Sequence, residues 1–321
     1  MRSANSARIP VGISQCLMGD PVRFNAGHKH SRLCTDHLGT LFELRPFCPE
    51  VAIGLGTPRK PIRLAGDPAA PRAVGTVDHT LDVTDALQQY ADDVSVLCEE
   101  LCGFIFMQKS PSCGMERVKV YEPNGHPAPA TGRGIFAARL MQANPLLPVE
   151  EEGRLNDPVL RENFVNRVIV YSDWQQLLRD GLSASRLLAF HARHKYLLMA
   201  HQSPSYRQIG QMLANPGRGA ALRDTANAYF AELMAALRRP ASRSGHSNVL
   251  QHVAGHFKKV LNPPEKEELQ QLINHYRSGI VPLVVPVTLL RHHLLRHPDP
   301  YLLQQAYLQP HPPELSLRNA I

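Results

Sequence analysis

The 321-residue sequence has no apolar run near the roughly 18 residues that a membrane helix requires. Its first ten residues are polar and basic, without the apolar segment of a secretory signal. Hydrophobic residues make up 43% and charged residues 20%, which is typical of a globular protein rather than a disordered or fibrous one. We therefore expect a cytoplasmic protein with no membrane partner.

The six cysteines lack the short C-x2-C spacing that is typical of zinc sites. Disulfides are not expected either, because the cytoplasm keeps thiols reduced. A helix is predicted from Asp85 to about Leu101, with Thr84 as its N-cap. Cys98 and Cys102 are four residues apart in the region of this helix, and burial on one apolar face explains them best. Cys34 has no partner nearby in the sequence and is interpreted as incidental.

The other three cysteines each follow a predicted strand. Apolar and β-branched runs at 10–14, 39–47 and 103–107 lead into Cys16, Cys48 and Cys113, respectively. Together with a predicted strand at 118–123 and a helix at 134–142, these runs predict an α/β domain with a mainly parallel sheet. Carboxyl ends of parallel strands share one sheet edge, so the three thiols can converge there.

Three converging thiolates suit an iron-sulfur cluster, whose ligands often come from distant loops. A cluster held by three thiolates leaves one iron open to an outside ligand, so that it can act as a Lewis acid. Three buried structural cysteines are the alternative that the spacing leaves open.

The segment 145–158, with its prolines and three consecutive acidic residues, predicts a boundary between a domain at 1–150 and one at 151–321. The second domain is predicted to be all-α, with six to eight helices. Its predicted helix starts pair a capping residue with proline, at Asp157-Pro158, Ser203-Pro204, Asn262-Pro263 and Asp299-Pro300, and Gly181 and Gly279 mark predicted helix ends.

Charge is distributed unevenly between the halves. Residues 1–150 contain 15 Lys and Arg against 15 Asp and Glu, whereas residues 151–321 contain 20 against 13 and 11 of the 16 His. A basic helical domain favours a polyanion partner such as RNA, although a basic surface kept for solubility explains the charge equally well. The candidate phosphate contacts are Arg186, Arg193, Lys195, Lys258, Lys259, Arg291 and Arg296.

The histidines of the second half have two interpretations. A zinc site is conceivable, but histidines on an RNA-facing or interhelical surface are commoner in a basic helical domain. The histidines concerned are His191, His194, His201, His252 and His256.

Several segments of the first half closely resemble the TudS-type thiouracil desulfidase family, over about residues 10–150. They are SQCLMGDPVR (14–23), CPEV (48–51) with GL (54–55) and TPR (57–59), DVT (82–84) and KSPSCG (109–114). The resemblance implies a four-iron four-sulfur cluster on the cysteines of these motifs, Cys16, Cys48 and Cys113, with one iron left open. One segment departs from the expected aromatic-Asp-Gly: RFNAG at 23–27, which would alter substrate preference if it lines the pocket.

The second half resembles the YbgA-like domain. The matching pieces are FHxxHKxxLMxH (190–201), NxxxHxxGxFK (248–258) and QxxYLxP (304–310). The fused arrangement resembles the RudS proteins, which are tRNA desulfidases acting on 4-thiouridine. The resemblance implies a tRNA desulfidase. We expect its helical domain, 151–321, to hold the RNA, and the charge of that half makes Arg186, Arg193, Lys195, Lys258 and Lys259 the candidate contacts, with solvated surface charge as the alternative for any one of them.

The expected reaction is hydrolysis at C4 of the thiolated ring, with release of sulfide and no net electron transfer. Glu50, two residues after Cys48, is the candidate general base, and a helix-start role or a salt bridge with Arg59 is the alternative. Lys109, Ser110 and Ser112 are candidate donors to the cluster sulfurs or to the ring.

Two other functions stay open at this point. The chain could desulfurate free thiouracil or a thiouridine nucleotide, or it could be a non-catalytic RNA-binding iron-sulfur sensor. A base-sized pocket at the cysteines favours an enzyme, whereas a fourth protein ligand favours the sensor.

Overall fold

The computed structural model describes residues 8–78, 80–201, 203–311, 315, 317–319 and 321. The chain forms two compact units, Met1–Asn156 and Asp157–Ile321. By sequence, the first unit carries 16 Lys and Arg against 17 Asp and Glu, and the second carries 19 against 11. Within the described residues, no helix is both long enough and apolar enough to cross a membrane.

The strands described in the first unit form two sheets. They are β1 (Ile9–Ser14), β2 (Phe42–Phe47), β3 (Ile62–Ala65), β4 (Arg72–Gly75), β5 (Phe104–Phe106), β6 (Val118–Tyr121), β7 (Pro127–Gly132) and β8 (Val149–Glu151). The first sheet has the order β2-β1-β5-β8, and each of its neighbouring pairs is parallel. The second has the order β4-β3-β6-β7, with β3 and β6 parallel and both outer pairs antiparallel.

The parallel sheet is buried along its central strands, which read as apolar runs for that reason. Phe104 and Phe106 of β5 stack with ring centroids 4.5 Å apart. Gly12 of β1 is required beside them, because a Cβ at this position would lie 2.4 Å from the Phe104 ring. The helices of this unit are α1 (Pro49–Ala52), α2 (Thr84–Leu97) and α3 (Ile135–Ala143).

The predicted α/β fold with a mainly parallel sheet is confirmed for the first half, but two details differ. The predicted strand at 118–123 is present as β6, but it belongs to a second sheet that the sequence pattern did not predict. The predicted helix over 85–101 ends at Leu97, where Cys98 caps it, and Val83 rather than Thr84 precedes it. Cys102 lies beyond the helix and donates its N–H to the Pro10 carbonyl. The expected helical cysteine pair is therefore wrong, although both thiols are buried.

In the described part of the second unit, the regular elements are helices, as predicted. They are α4 (Pro158–Arg179), α5 (Ala184–His201), α6 (Ser203–Met212), α7 (Gly219–Leu237), α8 (Arg243–His256), α9 (Pro263–Arg277), α10 (Val284–Arg296) and α11 (Pro300–Leu303). Asp157, Asn262 and Asp299 cap α4, α9 and α11 with their side chains, and Asn262 forms a full capping box with Glu265.

A buried ion pair joins α4 to the C-terminal segment of this unit. The Arg318 guanidinium lies 2.9 Å from the Glu162 carboxylate, and both side chains are more than nine-tenths buried. The same guanidinium donates to the Tyr307 carbonyl at 2.6 Å. Burial raises the pKa of Glu162, but the charge of Arg318 more than offsets this, so the pKa lies below its ordinary value.

Arg318→Met is expected to destabilise the helical unit by about 3–5 kcal/mol, because it leaves the Glu162 carboxylate buried without its partner. Since the folded pKa of Glu162 is depressed, the wild-type contribution is present above the unfolded pKa and is lost as the pH falls through the folded value. Urea unfolding can be followed through Trp174, the sole tryptophan, which stacks on Phe230 inside this unit. Arg277→Met on the exposed face of α9 is the control, and equal stability of the two variants would contradict this account.

Candidate functional site

Three cysteines from separate segments of the first unit line one cavity. Cys16 lies in the turn after β1, Cys48 directly follows β2, and Cys113 lies in the loop after β5. Because β1 is hydrogen-bonded between β2 and β5, the carboxyl ends of these three parallel strands are neighbours. The cavity has a volume of about 480 Å³.

Cys16 is held in a short 3-10 turn, Gln15–Met18, that ends at Gly19. Gly19 has φ +99°, a left-handed conformation that favours glycine. The Cys16 carbonyl accepts the N–H of Lys29 at 2.8 Å, which ties the turn to the following segment. Burial, followed by the neighbouring Cys48, raises the pKa of the Cys16 thiol to about 11, whereas Arg23 opposes that shift.

Cys48 is the residue before α1, whose first residue is Pro49. Proline suits this first helical position, because its fixed φ matches the helix and its missing N–H needs no partner. Burial raises the pKa of the Cys48 thiol, and hydrogen bonds from the backbone N–H groups of Val51 and Glu50 oppose that shift. These N–H groups would therefore stabilise a Cys48 thiolate.

Cys113 lies in a loop whose backbone is held by its own side chains. The Ser110 hydroxyl accepts the N–H groups of Ser112 and Cys113, at 3.2 and 3.1 Å. Burial raises the pKa of the Cys113 thiol, and a hydrogen bond with the Ser14 hydroxyl opposes that shift. The nearby charges of Cys16 and Cys48 raise it further, so the three thiols are close enough to affect one another.

The start of α3 fastens the same loop. The N–H groups of Ile135 and Ala137 bind the carbonyls of Pro111 and Ser112, at 3.0 and 3.1 Å. Gly134 packs so closely that a Cβ there would lie 2.5 Å from the Ser112 carbonyl oxygen. The Cys113 loop is therefore fixed by a backbone-to-backbone contact that only glycine permits.

Two buried glutamates at the end of β8, Glu151 within the strand and Glu152 directly after it, hold the ends of this loop. Glu152 accepts the N–H of Gln108 at 2.8 Å, and Glu151 accepts the N–H of Met115 at 2.9 Å. Burial raises the pKa of both carboxyls, and these N–H bonds oppose the shift. The sequence pattern predicted a linker for this acidic run, whereas the structure places it within the first unit as support for the Cys113 loop.

Gly134→Val is expected to displace the Cys113 loop, because overpacking a close contact costs about 1–3 kcal/mol. Iron bound per chain after anaerobic reconstitution should fall, since the third thiol moves from its place. The control is Ala143→Val at the exposed end of the same helix, which should leave iron binding unchanged. Full iron loading of the Gly134 variant would show that the loop contact is not needed for the site.

Glu50 lines the cavity and forms a buried network. Its Oε2 accepts two N–H groups of Arg59, at 2.6 and 3.0 Å, and its Oε1 accepts the Ser112 hydroxyl at 2.8 Å. The salt bridge with Arg59 that the sequence left open as an alternative is therefore present. Arg59 also donates to the carbonyls of Val22 and Gly56 at 3.0 and 2.8 Å, which orients the carboxylate.

The three predicted donors of the KSPSCG segment have different positions. Ser112 is fully buried and its hydroxyl is directed to Glu50, so it acts on the carboxylate rather than on a ring in the cavity. Ser110 lines the cavity while supporting the loop backbone. Lys109 is exposed at the cavity rim with φ +58°, an uncommon conformation for a residue other than glycine.

The segment that departs from the family pattern does line the cavity. Arg23 and Phe24 are both in its wall, with the Arg23 guanidinium 5.7 Å from the centre of the Phe24 ring. The Phe24 carbonyl accepts the N–H of Arg59 at 2.8 Å, so the segment is tied to the Glu50 network. Sequence reasoning did not assign Arg23 a role at the site. Its position as the first residue of the RFNAG segment was the available signal.

The remaining cysteines are not in the cavity wall. Cys34, Cys98 and Cys102 are buried among apolar residues of the first unit. Burial raises the pKa of Cys34 to about 11 and that of Cys98 to about 12. It raises the pKa of Cys16 in the same way, so position in the cavity wall, not the pKa, distinguishes the two sets of cysteines. Within the described ranges, no group of three or more His, Cys, Asp or Glu side chains forms a site for a single metal ion.

The histidines of the second unit do not converge on a zinc site in the part of the chain that the structure describes. His194 lies 3.3 Å from Asp173, and His201 lies 2.7 Å from the Arg239 carbonyl. His256 lies between Tyr196 and Asp299, at 3.0 and 2.9 Å. Their partners lie on different segments of the unit, so these histidines connect separate parts of the helical fold rather than sharing one metal site.

The five residues proposed for RNA differ in their contacts. Arg186 binds the carbonyls at the end of α4, Asp180 and Gly181, and Arg193 lies 3.4 Å from Asp173. Two of the five thus have structural partners. Lys258 and Lys259 are exposed in the turn after α8, and Lys195 is half-buried on α5, next to Tyr206.

Comparison with known proteins identifies two families in succession along the chain. The 2-thiouracil desulfurase family matches residues 11–152, and the family described as protein of unknown function DUF1722 matches residues 195–312. The chain therefore belongs to the 2-thiouracil desulfurase family through its first unit and carries a DUF1722, YbgA-like domain in its second. The expected fusion of these two domains is confirmed.

Two bacterial proteins and one solved structure are similar to parts of the chain. The uncharacterized protein YbgA of Escherichia coli strain K12 is 32% identical over 154 residues, which cover 48% of this chain and 91% of that protein. The uncharacterized protein YbbK of Bacillus subtilis strain 168 is 30% identical over 154 residues, 45% of this chain and 97% of that protein. The solved structure, a 4Fe-4S-dependent thiouracil desulfidase TudS, is 30% identical, with 47% of this chain and 95% of that chain covered and a TM-score of 0.38.

Proposed function

We propose that the chain is a desulfidase that converts 4-thiouridine in tRNA to uridine with release of sulfide, using a 4Fe-4S cluster. The observation that carries this proposal is the convergence of Cys16, Cys48 and Cys113, from three separate motifs, on one cavity. Membership of the 2-thiouracil desulfurase family supports the thiouracil chemistry. The cavity volume of about 480 Å³ lies in the range of small-molecule sites, which favours an enzyme over a sensor.

The donor set fits such a cluster. Thiols are the usual ligands of iron-sulfur clusters, and three of them face the cavity, whereas the other three cysteines of the chain are outside its wall. When bound, a cluster held by three thiolates offers one open iron as a Lewis acid for a soft thiocarbonyl sulfur. Cys16, Cys48 and Cys113 would be its ligands, each after loss of the thiol proton.

The remaining chemistry falls to the residues around the cavity. In the overall reaction, a thiocarbonyl and water give a carbonyl and hydrogen sulfide, so no oxidant or reductant is needed. Glu50 is the general base in this proposal and takes a proton from the attacking water at Oε1, because Arg59 occupies Oε2. Ser112 is a positioning residue that directs Oε1, and Arg59 holds the carboxylate in place from the other side.

The charge distribution supports tRNA as the substrate rather than a free thiouracil base. The first unit has 16 cationic side chains against 17 anionic ones, so it offers a polyanion no net attraction. The second unit has 19 against 11, and it carries the exposed pair Lys258 and Lys259. In our proposal this unit binds the RNA phosphates, and the first unit performs the reaction.

Binding of tRNA is expected to weaken linearly on a plot of the logarithm of affinity against the logarithm of salt concentration. Lys258→Gln and Lys259→Gln should each reduce the slope by about one unit, because each removes one phosphate contact. Desulfuration of a small thiouracil base should stay unchanged in both variants. Lys119→Gln, an exposed lysine of β6, is the control. If the two variants left the slope unaltered, or if tRNA bound equally at low and high salt, the free-nucleotide function would replace this one.

A further inference from the structure

A second cavity lies wholly within the helical unit, between α5 and α6. Its volume is about 380 Å³, and Tyr301 of α11 closes one side. Lys195 and His191 project from α5, and Tyr206 and Arg207 from α6. The cavity has the size of a small-molecule site, and the reaction proposed for the first unit does not use it.

The charge of this cavity has one sign. Lys195 and Arg207 are cations, and no carboxylate is among the described residues that line the cavity. Burial lowers the pKa of His191 to about 4, so this side chain is neutral and accepts or donates a hydrogen bond without adding charge. Burial also lowers the pKa of Lys195, but the hydroxyls of Tyr206 and Tyr301 more than offset that, and Lys195 stays protonated. An anion is the complementary ligand.

Two aromatic rings supply flat surfaces beside the cations. The Lys195 ammonium lies 5.6 Å from the centre of the Tyr206 ring. Tyr301 stacks on His256, with centroids 5.7 Å apart and ring planes 9° from parallel, and it meets the edge of Tyr196 at 6.0 Å. His256 is itself held between Tyr196 and Asp299. The Tyr301 wall is therefore fixed before any ligand binds, which lowers the entropic cost of binding.

Gly210 keeps the α6 side of the cavity open. Glycine inside a helix costs about 0.5–1 kcal/mol relative to alanine, so its presence needs a reason. Packing does not provide one, because a Cβ built at Gly210 would meet no atom within 4 Å. The missing side chain instead leaves room in the cavity wall.

We propose that this α5–α6 cavity binds a nucleoside phosphate, with the phosphate at Lys195 and Arg207 and the base against Tyr206 and Tyr301. Aromatic rings bind bases of any type by stacking. Lys195 and Arg207 would bind the phosphate through charge-assisted hydrogen bonds. The ligand is either a free mononucleotide or one nucleotide of an RNA chain. In the second case the cavity deepens the proposed function, on which it then rests, by naming where the helical unit holds RNA.

Calorimetric titration of the full chain with uridine 5′-monophosphate, uridine and inorganic phosphate tests the site. We expect the monophosphate to bind most tightly, because it alone uses both the cations and the rings. Lys195→Gln should weaken its binding at least about tenfold, the loss typical of one charge-assisted contact. Lys266→Gln, an exposed lysine of α9 outside the cavity, should bind as the wild type does.

Gly210→Leu should abolish binding by filling the cavity, and the smaller side chain of Gly210→Ala should weaken it less. The fluorescence of Trp174 reports whether each variant keeps the folded helical unit. Unchanged monophosphate binding in both Lys195→Gln and Gly210→Leu would overturn the proposal, as would equal binding of uridine and its monophosphate.

Competition with tRNA distinguishes the two sources of the ligand. Displacement of the monophosphate by tRNA identifies an RNA nucleotide as the occupant, and failure to displace it identifies a free mononucleotide. Both results support the site. Desulfuration of tRNA by a wild-type chain that does not bind the monophosphate would defeat the cavity proposal alone. Monophosphate binding by a chain that leaves thiolated tRNA unaltered would defeat the proposed function alone.

Discussion

Replacement of Cys16, Cys48 or Cys113 by Ala is expected to abolish both cluster binding and desulfuration. All three thiols line the same cavity, and a cluster that loses one of its three ligands is held too weakly to persist. Iron and acid-labile sulfide per chain are measured after anaerobic reconstitution, together with the absorbance of the cluster. The effect should be complete for each of the three positions.

The matched controls are the Ala variants of the other three cysteines, Cys34, Cys98 and Cys102. They are buried outside the cavity, so each variant should lose some stability from the smaller side chain but keep its iron. Loss of iron on replacement of Cys98 or Cys102 would place the cluster elsewhere. Retention of a full cluster by the Cys113 variant would equally contradict the site.

Glu50→Gln is expected to retain the cluster and to lose roughly 10²–10⁴-fold in turnover, the usual contribution of a general base. The amide is nearly the same shape, and its oxygen can still accept hydrogen bonds from Arg59 or Ser112. The amide cannot accept a proton from the attacking water, so the variant lacks the general base. Single-turnover loss of the thiouridine absorbance is followed alongside the cluster absorbance.

Two further variants serve as comparisons for Glu50→Gln. Ser112→Ala removes the donor to Oε1 without changing charge, so it should lower turnover less than Glu50→Gln does. Glu43→Gln alters an exposed carboxylate of β2 and should have no effect. Turnover near that of the wild type in Glu50→Gln would assign the base to another group.

Much of the candidate site could be predicted from the sequence, because its cysteines directly follow strands. Apolar runs leading into Cys16, Cys48 and Cys113 predict parallel strands, and the carboxyl ends of such strands meet at one edge. The helix boundaries marked by Asp157 and Asn262 were equally visible, since a capping side chain followed by proline is a local signal.

The supports of the site could not be predicted in the same way, because they depend on contacts between distant segments. Gly134 looks like an ordinary loop glycine until its approach to the Ser112 carbonyl is known. Glu151 and Glu152 look like a solvated acidic linker, yet their carboxylates bind backbone N–H groups about 40 residues earlier in the chain. In the second sheet, β7 has no clear alternation of apolar and polar residues, and β3 is only four residues long.

The histidines of the helical unit illustrate the same limit. Spacing along α5 allowed a shared metal, but each ring is directed to a partner on another segment, such as Asp173 for His194. The α5–α6 cavity could likewise not be predicted from the sequence, although the charge of Lys195 made that residue a candidate RNA contact. Arg207 and Gly210 line the cavity only because the two helices pack together, and a single sequence does not show that packing.

The most direct test of the account is the stoichiometry of the proposed reaction on tRNA. Anaerobically reconstituted full-length protein is incubated with tRNA that contains 4-thiouridine, and the thiouridine absorbance and free sulfide are measured together. We expect one sulfide for each thiouridine lost, in the absence of any added reductant or oxidant. Unaltered thiouridine in the presence of protein with a complete cluster, or loss of thiouridine without release of sulfide, would contradict a hydrolytic desulfidase.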